Sequence, residues 1–599
     1  MRYLIVFLLL TVMARGVPAH GRILEGSTNV APDKNIQYSP VHLNQQEKQL
    51  LERSLNDIHP RYDPAEKMLS KKLTGYNYHT DAESGNFHEV RGSLLYAVGL
   101  LDIGDPQYTQ RAFDIIEKTI SLQDTSFKSK SCGVWPYYME EPLATKKAPI
   151  DFNWADFNGV SMLDVLLGHE SEIPKTLKPK IEHSLLLAAR SIQKRNMGPG
   201  YTNIALMGTY VTYMTAHLLD IPVMKEYATK RLQNFYNYTI EKGGFSEYNS
   251  PTYTIIALNE LERMKRHIVN PEAVQIINKM YYTGWLTIAR HYHQPSGQWA
   301  GPHSRSYNSL VKPSFYGLLK LASDGKIDVG FDEQSSDPKI KHKIPSDLLP
   351  YFLNPVYPRT ETDLFENSVP IITGTTFLTK AYSLATANRS GLWNQRRPFL
   401  AYWGNVQKPC YLQVRFLHDD YDFSSATFYS TQKENQLLAG INFNLLGGDK
   451  HISIDRIMDG KFKARDLRLR FEFGKNTPPE NLVTPTSDFE PFYILTGNLR
   501  FDFQLYYAVF DQLKGYWEKG SDENTSWIDF VIYKGNEREF DMNRIKEVAL
   551  GFTFGINAES DKQIVKPPVF TIENRLIKAG WNGLQIEIPV QILPLPKNL

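Results

Sequence analysis

Two short stretches gather more proton-handling side chains than the start of a helix needs. "EYNSPTY" (247–253) carries Glu247, Tyr248, Asn249 and Tyr253, and "GPHSRSYN" (301–308) carries His303, Arg305 and Tyr307. A guanidinium grips a carboxylate, and an imidazole or phenol beside it takes or returns a proton. Ser250 and Pro251 suffice as a helix start, Ser as N-cap and Pro at the first helical position, so a helix is expected from about residue 251. That cap explains neither Glu-Tyr-Asn before it nor Tyr253 in the first turn. Three further knots have the same flavour. "NWADFNG" (153–159) offers Asn153 as a cap, Trp154 as a platform for a sugar ring and Asp156 in the first turn. Plain capping chemistry accounts for that knot equally well. "GYTN" (200–203) adds Asn203, an amide able to bind a carboxylate, and "FHEVRG" (87–92) adds His88 and Arg91.

The knots must be held by elements that bring them together, and their spacing says which. From Asn153 to Asn203 is 50 residues, to Asn249 a further 46, and to His303 a further 54; His88 lies 65 before Asn153. A step near fifty fits one helical hairpin with its two connections. Such hairpins stack into a solenoid or close into an α/α toroid, and either arrangement gathers one end of every hairpin on one face. The apolar spacing agrees: 157–169, 181–195, 204–220 and 254–264 all repeat at three and four residues, separated by Gly, Pro, Asn and Ser.

After residue 370 the period changes. "YLQVRFLH" (411–418), "DLRLRFEFG" (466–474), "LRFDFQLYYAVF" (499–510), "SWIDFVIYKG" (526–535) and "GLQIEIPVQI" (583–592) alternate apolar with polar residues. They are rich in Val, Ile, Phe and Tyr, the signature of half-buried antiparallel strands. The expected organisation is a helical (α/α)n incomplete toroid over 20–325, a Pro- and charge-rich linker over 326–369, and an antiparallel β-sandwich over 370–599. Residues 1–19 read as a signal peptide, with the apolar run Leu4–Ala14 behind Met1-Arg2 and small residues up to Ala19. A secreted or periplasmic protein, with no membrane insertion after cleavage, is the expectation.

Composition excludes several classes. Lys plus Arg number 67 against 65 Asp plus Glu, which lacks the basic excess of a nucleic-acid binder. Cys132 and Cys410 are the only cysteines and make no metal knuckle; two free thiols are expected. No HExxH, GxSxG, P-loop or dinucleotide fingerprint occurs. His291 with His293, and Asp419 with Asp420, are weak metal signals; no cofactor is expected, although Asp419 and Asp420 suit a structural calcium.

Signal peptide, helical toroid with His, Tyr, Asn and Arg at loop–helix junctions, then antiparallel sandwich: this layout resembles secreted polysaccharide lyases of the heparinase, alginate-lyase and chondroitin-lyase type. "EYNSPTY" and "GPHSRSY" are most similar to lyases acting on rhamnose–glucuronate linkages of arabinogalactan. The adjacent Asn-His pair expected of heparinase-like chains is missing at Asn203. The resemblance implies β-elimination on an acidic polysaccharide or oligosaccharide. Arg305 and Asn203 would neutralise the uronate carboxylate, His303 or Tyr253 would act as base, and Tyr248 or Tyr307 as acid. Glu247, Asn249, Trp154, Asn153, Asp156, His88 and Arg91 would line the cleft. Two alternatives stand beside it: a glycoside hydrolase using Asp156 and Glu247 as its carboxylate pair, and a non-catalytic glycan-binding protein.

Overall fold

The computed structural model describes residues 33–75, 80–331, 337–445, 453–454, 457–474, 482–560 and 566–593. The expected signal peptide lies outside them. No described helix is long and apolar enough to cross a membrane.

Eleven α-helices lie among the described residues: α1 (Gln45–Ile58), α2 (Val90–Ile103), α3 (Pro106–Ser121), α4 (Trp154–Gly168), α5 (Lys178–Arg195), α6 (Thr202–Leu218), α7 (Pro222–Glu241), α8 (Tyr253–His267), α9 (Pro271–His291), α10 (Pro313–Ala322) and α11 (Leu349–Leu353). Proline opens α3, α7, α9 and α10, where its missing N–H costs nothing, and the side chains of Asp105 and Asn270 cap α3 and α9. α2 stops at Gly104, whose φ of 68° is the left-handed turn that ends a helix.

Two layers follow from the helix surfaces. α2, α4 and α6 are apolar nearly all round and buried on almost every face, whereas α3 and α7 bury one stripe. Accordingly α2, α4, α6 and α8 pack side by side as an inner row, each followed by an outer partner, α3, α5, α7 and α9. This is the incomplete α/α toroid. Its inner helices run parallel, so their N-termini share one pole and their C-termini the other. Layer contact is close: a Cβ on Gly208 of α6 would lie 2.7 Å from Asp156 Oδ1 and 2.9 Å from Ile192.

The β domain is a sandwich of a nine-stranded and a six-stranded sheet, all pairings antiparallel. Phenylalanines from the two inner faces interdigitate, Phe471 meeting Phe552 edge to face at 5.2 Å. A third, three-stranded sheet (Val569–Glu573, Leu576–Trp581, Leu584–Pro589) covers part of the outside through its own apolar cluster. The nine-stranded sheet turns its other face to the toroid, where Ala300, Leu378, Leu400 and Tyr402 form a small shared core.

Three local expectations need correction. The stretch read as a linker, 326–369, holds α11 and the strand Arg359–Glu366, an edge of the nine-stranded sheet; its alternation "RTETDLFE" was masked by flanking prolines. A three-stranded sheet (Tyr62–Asp63, Met68–Thr74, Ser84–Glu89) interrupts the helical half, and His88 sits on its last strand. α8 begins at Tyr253 rather than 251, although Ser250 Oγ does accept the Tyr253 N–H at 3.0 Å. No disulfide joins the two cysteines; Cys410 is buried and Cys132 half-buried.

Candidate active site at the toroid mouth

The N-termini of the inner helices meet at one pole, linked by a chain of contacts. Arg91 at the start of α2 stacks over Phe157 in the first turn of α4, 3.9 Å from its ring centre. Asn153, just before α4, accepts a hydrogen bond from Arg195 Nη1 at 2.8 Å. The Glu247 N–H reaches Thr202 Oγ1 of α6 at 3.4 Å. Here the N-terminal ends of four helix dipoles create a positive potential suited to an anionic ligand.

At the centre is Arg305. Its Nη1 donates to Glu247 Oε1 at 2.8 Å, its Nε and Nη2 both donate to Gln395 Oε1 at 3.1 and 2.7 Å, and its guanidinium lies 4.3 Å above the Tyr253 ring. Burial opposes the Arg305 charge, yet Tyr253 and Glu247 hold its pKa above the ordinary range. The Tyr253 and Tyr307 hydroxyls are hydrogen-bonded at 2.7 Å, and Arg305 Nη2 reaches the Tyr307 oxygen at 3.4 Å. Tyr253 is buried while Tyr307 is 51% exposed, so the pair runs from interior to solvent. Burial raises the Tyr253 phenol far above its usual pKa, with Arg305 opposing, so Tyr253 keeps its proton. This reverses the expectation that Arg305 would make it acidic, because desolvation outweighs the nearby charge. Asn203, buried near the start of α6, has its Oδ1 unpartnered among the described residues.

Other residues singled out in the sequence serve different ends. His303 is buried at the edge of the cavity beside Tyr307; its Nδ1–H donates to the Asn249 carbonyl at 2.6 Å, which leaves Nε2 as the unprotonated nitrogen, without a partner among the described residues. Burial holds its pKa down at about 3, so it stays neutral. Asn249 adopts a left-handed φ of 42°, and its amide binds the Trp299 indole and the Ala300 and Pro302 carbonyls, a full structural load. Tyr248 stacks on Phe365 of the sandwich at 3.9 Å, away from the phenol pair. Trp154 is packed between Tyr137 and Phe157, 6% exposed, and so is not an open sugar platform. Asn153 makes no cap, since its oxygen is taken by Arg195. Asp156 has no exposed surface; it is ion-paired with Arg195, and burial pushes its carboxyl up to about 7. His88 lies against Glu140 and Asp63, beside the mouth.

Neither metal signal gathers ligands. His291 pairs with Asp363 at 3.1 Å, and His293 bonds Ser296 and the Thr379 carbonyl. Asp419 and Asp420 have left-handed φ, and Asp419 accepts the N–H groups of Arg465 and Asp466, a plain acidic turn. Among the described residues there is no group of three or more His, Cys, Asp or Glu placed to hold a metal ion.

Sequence reasoning missed Gln395 and Trp393, both from the loop after strand Arg389–Gly391 of the six-stranded sheet; the Trp393 ring lies 5.3 Å from the Arg305 guanidinium. The dipeptide Arg396-Arg397 in a β-rich region was the available signal. Beside Tyr307 opens a cavity of about 240 Å³, lined by Pro251, Ile255, Tyr307, Lys312, Phe315 and Tyr402 among others.

Residues 48–322 match a family model described as a domain of unknown function, DUF8769. No curated protein matches. Several solved structures are similar in layout. Heparinase III is 10% identical with a TM-score of 0.46, over 95% of this chain and 94% of that one. Chondroitin AC lyase of Streptomyces coelicolor A3, in complex with chondroitin sulphate, is 8% identical with a TM-score of 0.45, over 90% and 84%. A heparan sulfate lyase HepC mutant from Pedobacter heparinus is 10% identical with a TM-score of 0.40, over 92% and 90%. At such identities and scores the likeness is one of overall layout, and it transfers no residue role.

Proposed function

We propose that the protein is a polysaccharide lyase that cleaves a uronic-acid-containing glycan by β-elimination at the toroid mouth. One observation carries this reading: a cation, Arg305, lies against a buried-to-exposed pair of phenols, Tyr253 and Tyr307, at a pole where four helix N-termini converge. The uronate carboxylate is received by the helix ends, Arg305 and the Asn203 amide, and its neutralisation makes the C5 proton removable. Tyr307, exposed and hydrogen-bonded by both Tyr253 and Arg305, takes that proton as the phenolate. The C4–C5 double bond forms, the C4–oxygen bond breaks, and the proton passes to the leaving oxygen. Tyr253, kept protonated by burial, steadies the phenolate by donating to it. His303, buried and neutral, holds the loop in place and moves no proton.

The hydrolase alternative is disfavoured by geometry. It needs two carboxylates facing a cleft, but Asp156 is wholly buried against Arg195 and Glu247 is engaged by Arg305. Incubation with arabinogalactan, alginate and chondroitin distinguishes the readings. A lyase releases products with the ultraviolet absorbance of a 4,5-unsaturated uronate. Reducing ends without that absorbance would sink the proposal in favour of hydrolysis, and binding without either signal would make the protein a glycan binder.

A further inference from the structure

The toroid mouth is not built by the toroid alone. The loop at 393–397 crosses from the six-stranded sheet and is zipped by backbone bonds to the segment carrying Arg305. His303 N–H donates to the Arg397 carbonyl and Arg397 N–H to the His303 carbonyl, both at 3.0 Å, and Ser306 N–H donates to the Gln395 carbonyl at 2.6 Å. The side chain of Gln395 is thereby set against the guanidinium, 6% exposed.

Its orientation is dictated by its partners. Arg305 Nε and Nη2 are donors only, so the atom facing them at 3.1 and 2.7 Å must be the amide oxygen. The amide nitrogen then points the other way, and among the described residues it has no hydrogen-bond partner. The charge balance explains why an amide stands here. Glu247 already contacts Arg305 through Nη1. A second carboxylate would turn the cluster negative and repel an anionic ligand, while a neutral oxygen orients the guanidinium without cancelling it.

We propose that Gln395, supplied by the sandwich, is a substrate-contacting residue of the toroid's site: its oxygen sets the plane of Arg305, and its amide N–H binds the same uronate carboxylate. The inference rests on the lyase reading above. It assigns the β-sandwich a share in recognition, and it makes the uronate carboxylate, rather than a neutral sugar, the group read by this wall.

The test compares the full-length wild type with Gln395→Ala and Gln395→Glu, on a uronate polysaccharide and on its methyl ester. Losing a hydrogen bond to a charged group lowers kcat/KM on the acid about 10- to 100-fold in Gln395→Ala. Gln395→Glu, nearly isosteric, falls further on the acid because of repulsion, and recovers to the level of the Ala variant on the ester. A merely structural glutamine would not distinguish acid from ester. The inference is overturned if both variants stay within about twofold of wild type on the acid, or if Gln395→Glu loses as much on the ester as on the acid. Should wild type release no unsaturated product from any uronate tested, the lyase reading fails on that result alone and takes this inference with it.

Discussion

The two poles of the toroid are both crowded with charge, and they use it differently. At the C-terminal pole Arg263 binds Glu260, Asp337 and Asp164 at 2.9, 3.0 and 3.4 Å, and Lys339 pairs with Asp102 and Asp337. Burial works against the Lys339 charge, but the two carboxylates hold its pKa above the usual range. This pole also has the larger cavity, about 400 Å³ against about 240 Å³ beside Tyr307. Yet Arg263 and Lys339 are committed to carboxylates. The segment 337–344 acts as a strap, tying α2 through Asp102, α8 through Arg263 and α9 through the Tyr281 hydroxyl. At the N-terminal pole Arg305 is also paired, but Tyr307 reaches solvent, and the Gln395 amide nitrogen keeps donor capacity in hand. Neither charge density nor cavity size marks the candidate site; a solvent-reaching phenol and an unpartnered amide donor beside a fixed cation do. Helix polarity agrees, since N-termini attract an anion while the C-terminus of α8 is already stabilised by Lys265 and Arg266 in its last turn.

The comparison breaks or sharpens under substitution. The largest effect is expected for Tyr307→Phe, which removes the proton carrier; kcat falls about 10²- to 10⁴-fold with the melting temperature nearly unchanged. Next comes Arg305→Ala, with kcat/KM down about 10²- to 10³-fold on a uronate substrate. Full turnover in either variant, measured by release of unsaturated product, would remove the mouth from the mechanism. At the opposite pole Arg263→Leu takes the cation from Glu260 and Asp164 and leaves Asp337 with Lys339 alone. Denaturant unfolding should show a loss of about 3–5 kcal/mol, while turnover per folded molecule stays at the wild-type level. A loss of turnover with intact stability there would mean that the two poles had been told apart wrongly.

The smallest effect is in pH dependence. His267 and His342 are held by burial at about 4, below their ordinary 6.5. A depressed histidine contributes stability that is present above the unfolded value and lost as pH falls through the folded one. Melting temperature should therefore be level above about pH 6.5 and decline toward pH 4, with a shallower decline in His342→Gln. His303, at about 3, stays neutral throughout that range, so kcat/KM should show no histidine limb between about pH 5 and 8. A limb near 6.5 that vanishes in His303→Gln would restore the imidazole as the base.

Much of the architecture was legible before any coordinates. Apolar spacing located α4, α5, α6 and α8, and the alternation of "LRFDFQLYYAVF" matches the strand Leu499–Phe510 to the residue. The fifty-residue step anticipated that knots far apart in sequence meet at one pole, because it is the period of a helix pair and every pair returns the chain to the same end. Tyr253, Arg305 and Tyr307 stood out by type. Two kinds of fact were hidden. Which conspicuous residues are sealed depends on neighbours distant in sequence: Trp154 is covered by Tyr137, Asp156 is met by Arg195, and His303 is closed in by Asn249. Which phenol keeps its proton depends on burial, and a local pattern has no desolvation in it.

The sequence by itself determined the element types, the two-layer logic of the helices, the division into helical and β regions, and the stock of side chains able to handle protons. Periodicity sufficed, because each helix or strand must bury its own apolar face. Only the tertiary structure decided that a sandwich loop supplies Gln395, 90 residues downstream, to Arg305. Only it could show that the cations of one pole are committed to buried carboxylates while the cation of the other lies beside a solvent-reaching phenol. Those outcomes depend on distances of about 3 Å between groups that no periodicity relates.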